Sequence, residues 1–383
     1  MRVRTRLAAV ITSLSLAVVA AATAAAMASA SSDVVGHLYV NANTPGTNTI
    51  AAFDRHADGS LTPMHGSPFP AGGAGTGTGI GSQGALQITS DGKYLLAVDA
   101  GSNQISVLRM ENDGELNRVG GGPVSSGGIK PVSIAVHGRL VYVANAGDGG
   151  SNYTGFTLNP GGHLRPLAGS TVALPDGSSP GDVLFNGDGS KLVGTEVGTS
   201  VIDSFVVSAD GVLTAAGGSP FAAEGRGPFG SEFRPTDPTQ LFVSNAHGGA
   251  GNGSISAFSD ASDGALTSIG LSPFPDFQTA PCWMEISHDG QFLFTVNTGS
   301  NSVSRYGIAA DGSLGLLGST SLGSTALGAE DARLAPDGGT LWVIDTGGRA
   351  VSAFSVDGGD LTQLPTSPTA LPAGAAPFGI VVT

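Results

Sequence analysis

Residues 86–116 read LQITSDGKYLLAVDAGSNQISVLRMENDGEL, and this stretch contains one complete copy of the unit that decides the fold. An apolar run at 86–89 precedes the turn Asp91-Gly92, and a second apolar run at 94–99 ends in an acidic residue. A Gly-Ser-Asn loop, a third run and another Asp-Gly turn follow. Asp-Gly between alternating apolar runs is typical of a tight hairpin, because glycine accepts the positive φ that such turns need. The unit therefore predicts short antiparallel strands joined by tight turns.

The unit occurs seven times in the chain. The residue that ends its second strand is Asn, Asp or Glu in every copy, at intervals of 46 to 58 residues: Asn41, Asp99, Asn145, Glu196, Asn245, Asn297 and Asp345. A glycine-containing outer turn also recurs seven times. Four short strands per repeat of about 50 residues are typical of a propeller blade. The sequence thus predicts an all-β, seven-bladed β-propeller with four antiparallel strands per blade.

The two ends of the repeat region supply complementary parts of one blade. HLYVNAN at 37–43 resembles a second strand that lacks its first strand, and PFGIVVT at 377–383 resembles a first strand that lacks its second. We therefore expect the C-terminal strand to pair with the N-terminal blade. This pairing closes the ring and leaves no long free sheet edge.

One segment departs from the repeat. Residues 71–84, AGGAGTGTGIGSQG, are rich in glycine and predict a flexible connection on the side of blades 1 and 2. A G-x-G-x-x-G match at 79–84 lacks the preceding strand and following helix of a dinucleotide-binding loop, so we assign it to chance.

Residues 1–30 have the pattern of a cleaved signal peptide. Three arginines precede an apolar stretch, and Ala28-Ser29-Ala30 offers a cleavage site before Ser31. Three of the 16 basic side chains and none of the 30 acidic ones lie in this leader, so the propeller domain at 31–383, ordered from about residue 37, carries 13 basic and 30 acidic side chains, a net charge of −17. Such a charge repels nucleic acid and anionic membranes. We expect a secreted or cell-envelope monomer without a nucleic-acid partner, and without a membrane partner after cleavage.

Cysteine and metal motifs add little. Cys282 is the only cysteine, so the chain has no internal disulfide and its stability must come from core packing. The sequence has no H-E-x-x-H motif, no EF-hand loop and no zinc-type spacing of Cys and His. It therefore predicts neither a metal nor another cofactor.

Candidate site residues gather on the innermost strands. Aligning the repeats on their first turn places Glu232, Glu285 and Arg333 at one position, and Asp182, Trp283 and Asp331 two residues earlier. Residues i and i+2 of a strand point the same way, so these side chains should face the central channel. We expect the site at the channel mouth formed by the loops between second and third strands and by the connections between blades. Loops on a rigid scaffold carry function more often than the scaffold does.

The expected roles follow from the residue types. The catalytic candidates are Glu196, Glu232, Glu285 and Asp331, and the substrate-binding candidates are Asp182, His247, Trp283 and Arg333. Crowded carboxylates raise one another's pKa and an arginine lowers it, so one can act as a base and another as an acid. Arg333 can hold a carboxylate or an oxyanion, and Trp283 can stack on a sugar-like ring. The alternative is a hydrated ion network that only lines the channel.

The repeat resembles a known family. The segments SDGKYLLAVDAGSNQISV at 90–107 and HDGQFLFTVNTGSNSVSRY at 288–306 are similar to those of lactonase-family seven-bladed propellers. That family includes bacterial 6-phosphogluconolactonase and the fungal carboxymuconate-lactonising enzyme, and the resemblance covers 37–383. It implies histidines that open blade 3, an Arg-His pair that opens blade 4, and a Glu that ends the second strand of blade 4. Only Glu196 matches, because the openings read Lys-Pro-Val-Ser at 130–133 and Pro-Gly-Asp-Val at 180–183.

Three functions remain open on this basis. The first is an exported carboxylic ester hydrolase that opens a lactone, or a ring ester derived from a carbohydrate, with carboxylates at the channel mouth. The second is a non-catalytic extracellular binding or scaffold propeller, since propellers host both kinds of function. The third is a cycloisomerase, which only the resemblance implies. We carry the first forward as the prediction, with a small molecule as the ligand.

Overall fold

The fold is that of a closed propeller. The computed structural model describes residues 33–323 and 328–383, and the predicted signal peptide with its cleavage site lies outside the described residues. All regular secondary structure in this part of the chain is β-strand, arranged as seven antiparallel sheets. The predicted seven-bladed β-propeller is therefore confirmed. Within the described ranges, no helix has the length and the apolar character needed to cross a membrane.

Each blade has four consecutive strands, and in six of the described blades a short fifth strand pairs with the third one. Counted outward from the channel, the strands are Ile380–Val382, Val34–Asn41, Thr49–His56, Leu61–Pro63 and Phe69–Pro70 in blade 1; Leu86–Ile88, Tyr94–Asp99, Gln104–Met110, Leu116–Arg118 and Val124–Ser125 in blade 2; Pro131–His137, Leu140–Asn145, Asn152–Leu158, Leu164–Pro166 and Val172–Ala173 in blade 3; Pro180–Phe185, Lys191–Glu196, Val201–Val207, Leu213–Ala215 and Phe221–Ala222 in blade 4; Pro228–Arg234, Asp237–Asn245, Ser254–Asp260, Leu266–Ser268 and Phe274–Pro275 in blade 5; Pro281–Ile286, Phe292–Asn297, Ser302–Ile308 and Leu314–Ser321 in blade 6; and Ala329–Leu334, Thr340–Asp345, Ala350–Asp357, Asp360–Gln363 and Thr369–Ala370 in blade 7.

The ring closes as the sequence predicts. Leu38, Tyr39 and Val40 pair in antiparallel register with Val382, Val381 and Ile380. The innermost strands of successive blades contact one another all the way around the ring. The strand Ile380–Val382 completes the circle between blades 7 and 2. The innermost strands therefore form the wall of the channel.

Neighbouring blades pack through buried apolar side chains, helped by a repeated hydrogen bond. Tyr39 of blade 1 donates its hydroxyl to the carbonyl of Gly114 in the outer turn of blade 2, at 2.8 Å. Tyr142 of blade 3 does the same to Gly211 of blade 4, also at 2.8 Å. Both glycines have φ +81, so the outer turn needs a residue that tolerates a left-handed backbone. The recurrent Asp-Gly turn thus serves the contact between blades as well as its own hairpin.

Candidate functional site

Six of the eight predicted site residues meet in the channel. They project from the innermost strands of blades 4 to 7: Asp182, Glu232, Trp283, Glu285, Asp331 and Arg333. We call them the channel group. Arg333 Nη1 lies 2.8 Å from Glu285 Oε1 and is the cation of the group.

Burial dominates the acidity of the channel group. It raises the pKa of Asp182 to about 6 and that of Asp331 to about 7, although hydrogen bonds or Arg333 act in the opposite direction. The pKa of Glu232 is raised well above its usual value, first by burial and then by the charge of Glu285. The pKa of Glu285 is raised by burial and lowered in part by Arg333. Burial therefore favours the protonated form of these carboxyl groups.

Asp182 is held firmly by its neighbours. Ser133 donates to its Oδ1 at 3.1 Å, while Ser231 donates to Oδ2 through its backbone N–H at 3.0 Å and through its hydroxyl at 2.7 Å. These partners come from blades 3 and 5, so Asp182 ties three blades together. Hydrogen bonds of this kind are what a buried carboxylate needs in order to be tolerated, and they leave it little capacity to bind a substrate.

The glycine-rich segment closes one mouth of the channel. Ser82 donates its hydroxyl to the carbonyl of Val132 in blade 3 at 2.7 Å, and its own carbonyl accepts the indole N–H of Trp283 in blade 6 at 2.7 Å. Gln83 donates its backbone N–H to the carbonyl of Gly181 in blade 4 at 2.9 Å. Its side-chain amide donates to Oε1 of Glu232 in blade 5 at 3.2 Å. We call residues 80–84 the plug.

The glycine-rich segment extends beyond its expected place. It was expected on the side of blades 1 and 2, and residues 71–77 do bond there, since Gly77 donates its N–H to the carbonyl of Asn43 and Ala74 accepts the N–H of Gly101, whereas the plug continues to blades 3 to 6. The reason is steric: glycines with positive φ at 81 and 84 turn the backbone, and the opposite wall also lacks a side chain. A Cβ at Gly230 would lie 2.2 Å from Gln83 Oε1, so only glycine there admits the Gln83 side chain.

The plug covers the mouth at which the sequence predicts a ligand. Trp283 is only 2% exposed, and its ring packs against Phe229 and Phe378 at centroid distances of 5.1 and 6.2 Å. Asp331 and Asp182, on the same level, are also buried. The more exposed members, Glu232 and Arg333, lie two residues farther along their strands. The channel group is thus assembled as predicted, but it is covered on the predicted side.

His247 and Cys282 do not extend the channel group. His247 is exposed, and its ring lies over Gly227. Cys282 is buried, its thiol donates to the carbonyl of Ala280 at 3.3 Å, and burial raises its pKa to about 12. A thiol with that pKa stays protonated and is a poor nucleophile.

Glu196 lies apart from the channel group. It ends the second strand of blade 4, one strand outward from the channel wall, and is 3% exposed. The Thr199 hydroxyl donates to Glu196 Oε2. The other partner is Asp203, on the third strand, whose carboxyl group forms a hydrogen bond with that of Glu196. Two carboxyl groups in such contact repel each other when both are ionised, which favours a proton on Asp203.

Asp203 is the member of this pair whose pKa is raised. Burial and then the charge of Glu196 raise its pKa to about 7. Tyr153 of blade 3 donates its hydroxyl to Asp203 Oδ2 at 3.1 Å. Burial and the charge of Asp203 raise the pKa of Tyr153 well above its usual value, so Tyr153 remains a donor. Sequence reasoning missed Asp203 and Tyr153 as candidates.

A comparison of the blades shows how unusual the pair is. In five of the other blades the residue in register with Asp203 is Ser or Thr, and in blade 1 it is Ala: Ala52, Ser106, Thr154, Ser256, Ser304 and Ser352. In three of these blades the residue that ends the second strand bonds to that hydroxyl: Asp99 to Ser106 at 2.5 Å, Asn245 to Ser256 at 2.9 Å and Asn297 to Ser304 at 2.8 Å. Of the seven described blades, only blade 4 has a carboxyl group at both positions. An alignment of the third strands, made from the sequence alone, would have revealed this departure.

Gly194 is a further position at which blade 4 differs from the other blades. It pairs with Asp203 across the sheet, and a Cβ at this position would lie 2.2 Å from the Tyr153 hydroxyl oxygen. The equivalent residues of the other blades are larger: Tyr39, Ala97, Val143, Val243, Thr295 and Val343. Glycine therefore makes the space through which Tyr153 reaches the acid pair.

The pair opens into a cleft between blades 3 and 4 with a volume of about 420 Å³. Its lining residues are Val172, Ala173, Leu174, Pro175, Glu196, Thr199, Val201, Asp203, Phe205, Ala215, Ser219 and Pro220. This volume lies in the range of small-molecule sites. In the described part of the chain, no group of three His, Cys, Asp or Glu side chains is arranged to hold a metal ion. The two carboxyl groups of the cleft can exchange protons with a bound ligand.

Comparison with known proteins gives one family match. The sequence matches the family described as "Lactonase, 7-bladed beta-propeller" over residues 37–175 and 234–381. The interval without a match, 176–233, includes every strand of blade 4. No curated protein matches the chain.

Several solved structures share the fold. A putative 6-phosphogluconolactonase from Bacteroides uniformis has 18% sequence identity, a TM-score of 0.74, and coverage of 91% of this chain and 99% of that chain. A periplasmic gluconolactonase from Pseudomonas aeruginosa has 18% identity, a TM-score of 0.71, and coverage of 91% and 98%. A hypothetical selenium-binding protein from Sulfolobus tokodaii has 12% identity, a TM-score of 0.63, and coverage of 91% and 93%. At these identities the likeness shows the fold alone.

Proposed function

The chain belongs to the lactonase family of seven-bladed β-propellers, and on that premise we propose that it is an exported lactone hydrolase that uses the Glu196–Asp203 pair. One observation carries the proposal. Of the described blades, only blade 4 has carboxyl groups at both of these positions, and the two groups border a cleft. This arrangement has no evident structural benefit, because two buried acids in contact destabilise a fold.

The pair can supply both proton-transfer roles. Thr199 donates to Glu196 Oε2 and Tyr153 donates to Asp203 Oδ2, so both carboxyl groups are held in place. With its pKa at about 7, Asp203 exchanges its proton near neutral pH. Catalytic bases and acids work best when their pKa lies near the operating pH.

The proposed reaction is the addition of water across the ring ester bond. Glu196 takes a proton from water as the water oxygen bonds to the carbonyl carbon of the lactone. The bond between that carbon and the ring oxygen then breaks, and Asp203 gives its proton to the ring oxygen. The product is a hydroxy acid, and the proton on Glu196 passes to Asp203 through their hydrogen bond. One water is consumed and the pair returns to its starting state.

Export is the second part of the proposal. It is supported by the leader pattern of residues 1–30, and the similarity to a protein described as periplasmic is compatible with it. The mature protein should then begin at Ser31, which mass spectrometry of exported material checks. A purified membrane fraction that retains the leader would contradict this part.

The channel group receives a different proposal. We propose that it is the hydrated ion network named as the alternative above. Three features support this: the plug covers it, Asp182 is fully bonded to neighbouring blades, and Arg333 is paired with Glu285. Its members then contribute to stability and not to turnover.

A lactone assay tests the catalytic proposal. Mature protein is incubated with a panel of lactones, and acid release is followed in a pH-stat. Glu196→Gln and Asp203→Ser should each lower kcat/KM by about 10²- to 10⁴-fold, the range that proton-transfer groups supply. Asp203→Ser restores the pair seen in other blades, so it should not harm folding. Asp99→Asn alters the equivalent position of blade 2 and should leave activity unchanged. Equal activity in all four proteins would contradict the proposal.

A further inference from the structure

We propose that the cleft between blades 3 and 4 takes neutral lactones that carry an apolar chain, and that it rejects phosphorylated or carboxylated ones. This inference rests on the proposed function, since it names the substrate class of the same site. It departs from the 6-phosphogluconolactonase name of the similar structure from Bacteroides uniformis.

The walls of the cleft are apolar. Eight of its twelve lining residues have hydrocarbon or aromatic side chains: Val172, Ala173, Leu174, Pro175, Val201, Phe205, Ala215 and Pro220. The four polar ones are Glu196, Thr199, Asp203 and Ser219, and all four belong to blade 4. Small-molecule sites with this composition use the apolar wall for affinity and the few polar groups for orientation. A ring ester would face the acid pair while its substituent packs against the apolar wall.

The charge of the cleft opposes an anionic substrate. Of the described residues that line it, none is Lys, Arg or His, and the acid pair itself carries negative charge. A phosphate or carboxylate placed there would lose its hydration without gaining a cation. Sites that recognise phosphate use arginine, lysine or a run of backbone N–H groups.

The opening of blade 4, on the channel wall, also departs from what the family resemblance implies. The family resemblance implies an arginine at this point, where the chain reads Pro180-Gly181. A Cβ at Gly181 would lie 2.8 Å from Val197 Cγ2, so a larger side chain there requires the structure to shift. The family match also omits 176–233, the interval that contains blade 4. Blade 4 therefore lacks the arginine with which the resemblance would supply a cation.

A substrate series tests the inference. Neutral γ-lactones with alkyl chains of increasing length are compared with glucono-δ-lactone and with its 6-phosphate ester. Each methylene that the cleft buries should raise kcat/KM by up to about fourfold, until the cleft is full. The phosphate ester should be the poorest substrate. If the phosphate ester or the sugar lactone is preferred, the substrate class is wrong while the hydrolase proposal stands. If no lactone is opened, the hydrolase proposal itself fails.

A charge-swap variant gives an independent measurement. Leu174 is half-buried at the rim, so Leu174→Lys places a cation in the cleft without emptying the core. We expect it to lower kcat/KM for the long-chain lactone and to narrow the gap to the phosphate ester by about tenfold or more. Leu317→Lys, at an exposed leucine of blade 6, is the matched control and should change neither value. Circular dichroism and the Tm of both variants show whether they fold. A folded Leu174→Lys protein with unchanged selectivity would overturn the inference.

Discussion

The channel group and the acid pair of blade 4 are both sets of buried carboxyl groups, but the plug covers the first and a cleft borders the second. The channel group has its own cation, Arg333, and is covered by the plug through Gln83 and Ser82. Among the described residues, no Lys or Arg forms an ion pair with Glu196 or Asp203, which border a cleft of about 420 Å³. The comparison teaches that perturbed acidity alone does not distinguish a structural network from a site.

The repeat provides the criterion that acidity lacks. A residue that serves the blade recurs in every blade, as the Asn or Asp that ends the second strand does. A residue that serves a ligand has no reason to recur. Asp203, Gly194 and Glu196 all depart from their equivalents, and they depart together in one blade. Departure from the repeat therefore identifies the candidate site better than the count of acids on the inner strands.

The largest expected effect concerns the channel group. Arg333→Ala leaves Glu285 and Asp331 without their cation, so the unfolding free energy should fall by about 3 kcal/mol at pH 8, near the low end for a broken buried pair because Arg333 is partly exposed. The loss should shrink toward pH 5, since the pKa of Asp331, at about 7, means that this group is then protonated and no longer needs the cation. Urea unfolding at both pH values checks this.

The control for that experiment is Arg349→Ala, an exposed arginine of the same blade, which should leave stability nearly unchanged. Specific activity per folded molecule should not change in either variant. A folded Arg333→Ala protein that has lost turnover would move the site into the channel and reverse the comparison.

A smaller effect is expected at the acid pair. Gly194→Ala puts a methyl group where the Tyr153 hydroxyl lies, so it should cost about 1–3 kcal/mol of unfolding free energy, as overpacking of a core does. It should also lower activity, because Tyr153 can no longer donate to Asp203. Tyr153→Phe alone removes the same donor without adding a clash, so it should lower activity and cost less stability than Gly194→Ala. Full activity in Tyr153→Phe would mean that Tyr153 has no role in orienting Asp203.

The smallest expected effect is a null result in fluorescence. Trp283 is buried beside the plug in blade 6, whereas the cleft lies between blades 3 and 4. A lactone bound in the cleft should therefore leave its emission unchanged, as judged from the difference between the protein and its Trp283→Phe variant. A change in emission that follows substrate concentration would instead indicate a ligand in the channel.

Much of this molecule could be predicted from its sequence. The count of blades, the closure by the C-terminal strand and the channel group all follow from alternation and from markers that recur seven times. The plug could not be predicted in the same way, because it occurs once and glycine-rich backbone has too many accessible conformations. Asp203 was hidden in a strand of ordinary pattern, and only its comparison with Ser106 and the other equivalents reveals it.

The central claim is that the Glu196–Asp203 pair shares a proton and performs the reaction. The most direct measurement is the pH dependence of kcat/KM for a lactone that the wild type opens. Asp203 must be protonated to serve as the acid, so kcat/KM should fall as pH rises through about 7, and Asp203→Asn should lower the rate and abolish that ionisation. A profile that keeps the same midpoint in Asp203→Asn, with activity retained, would contradict the account.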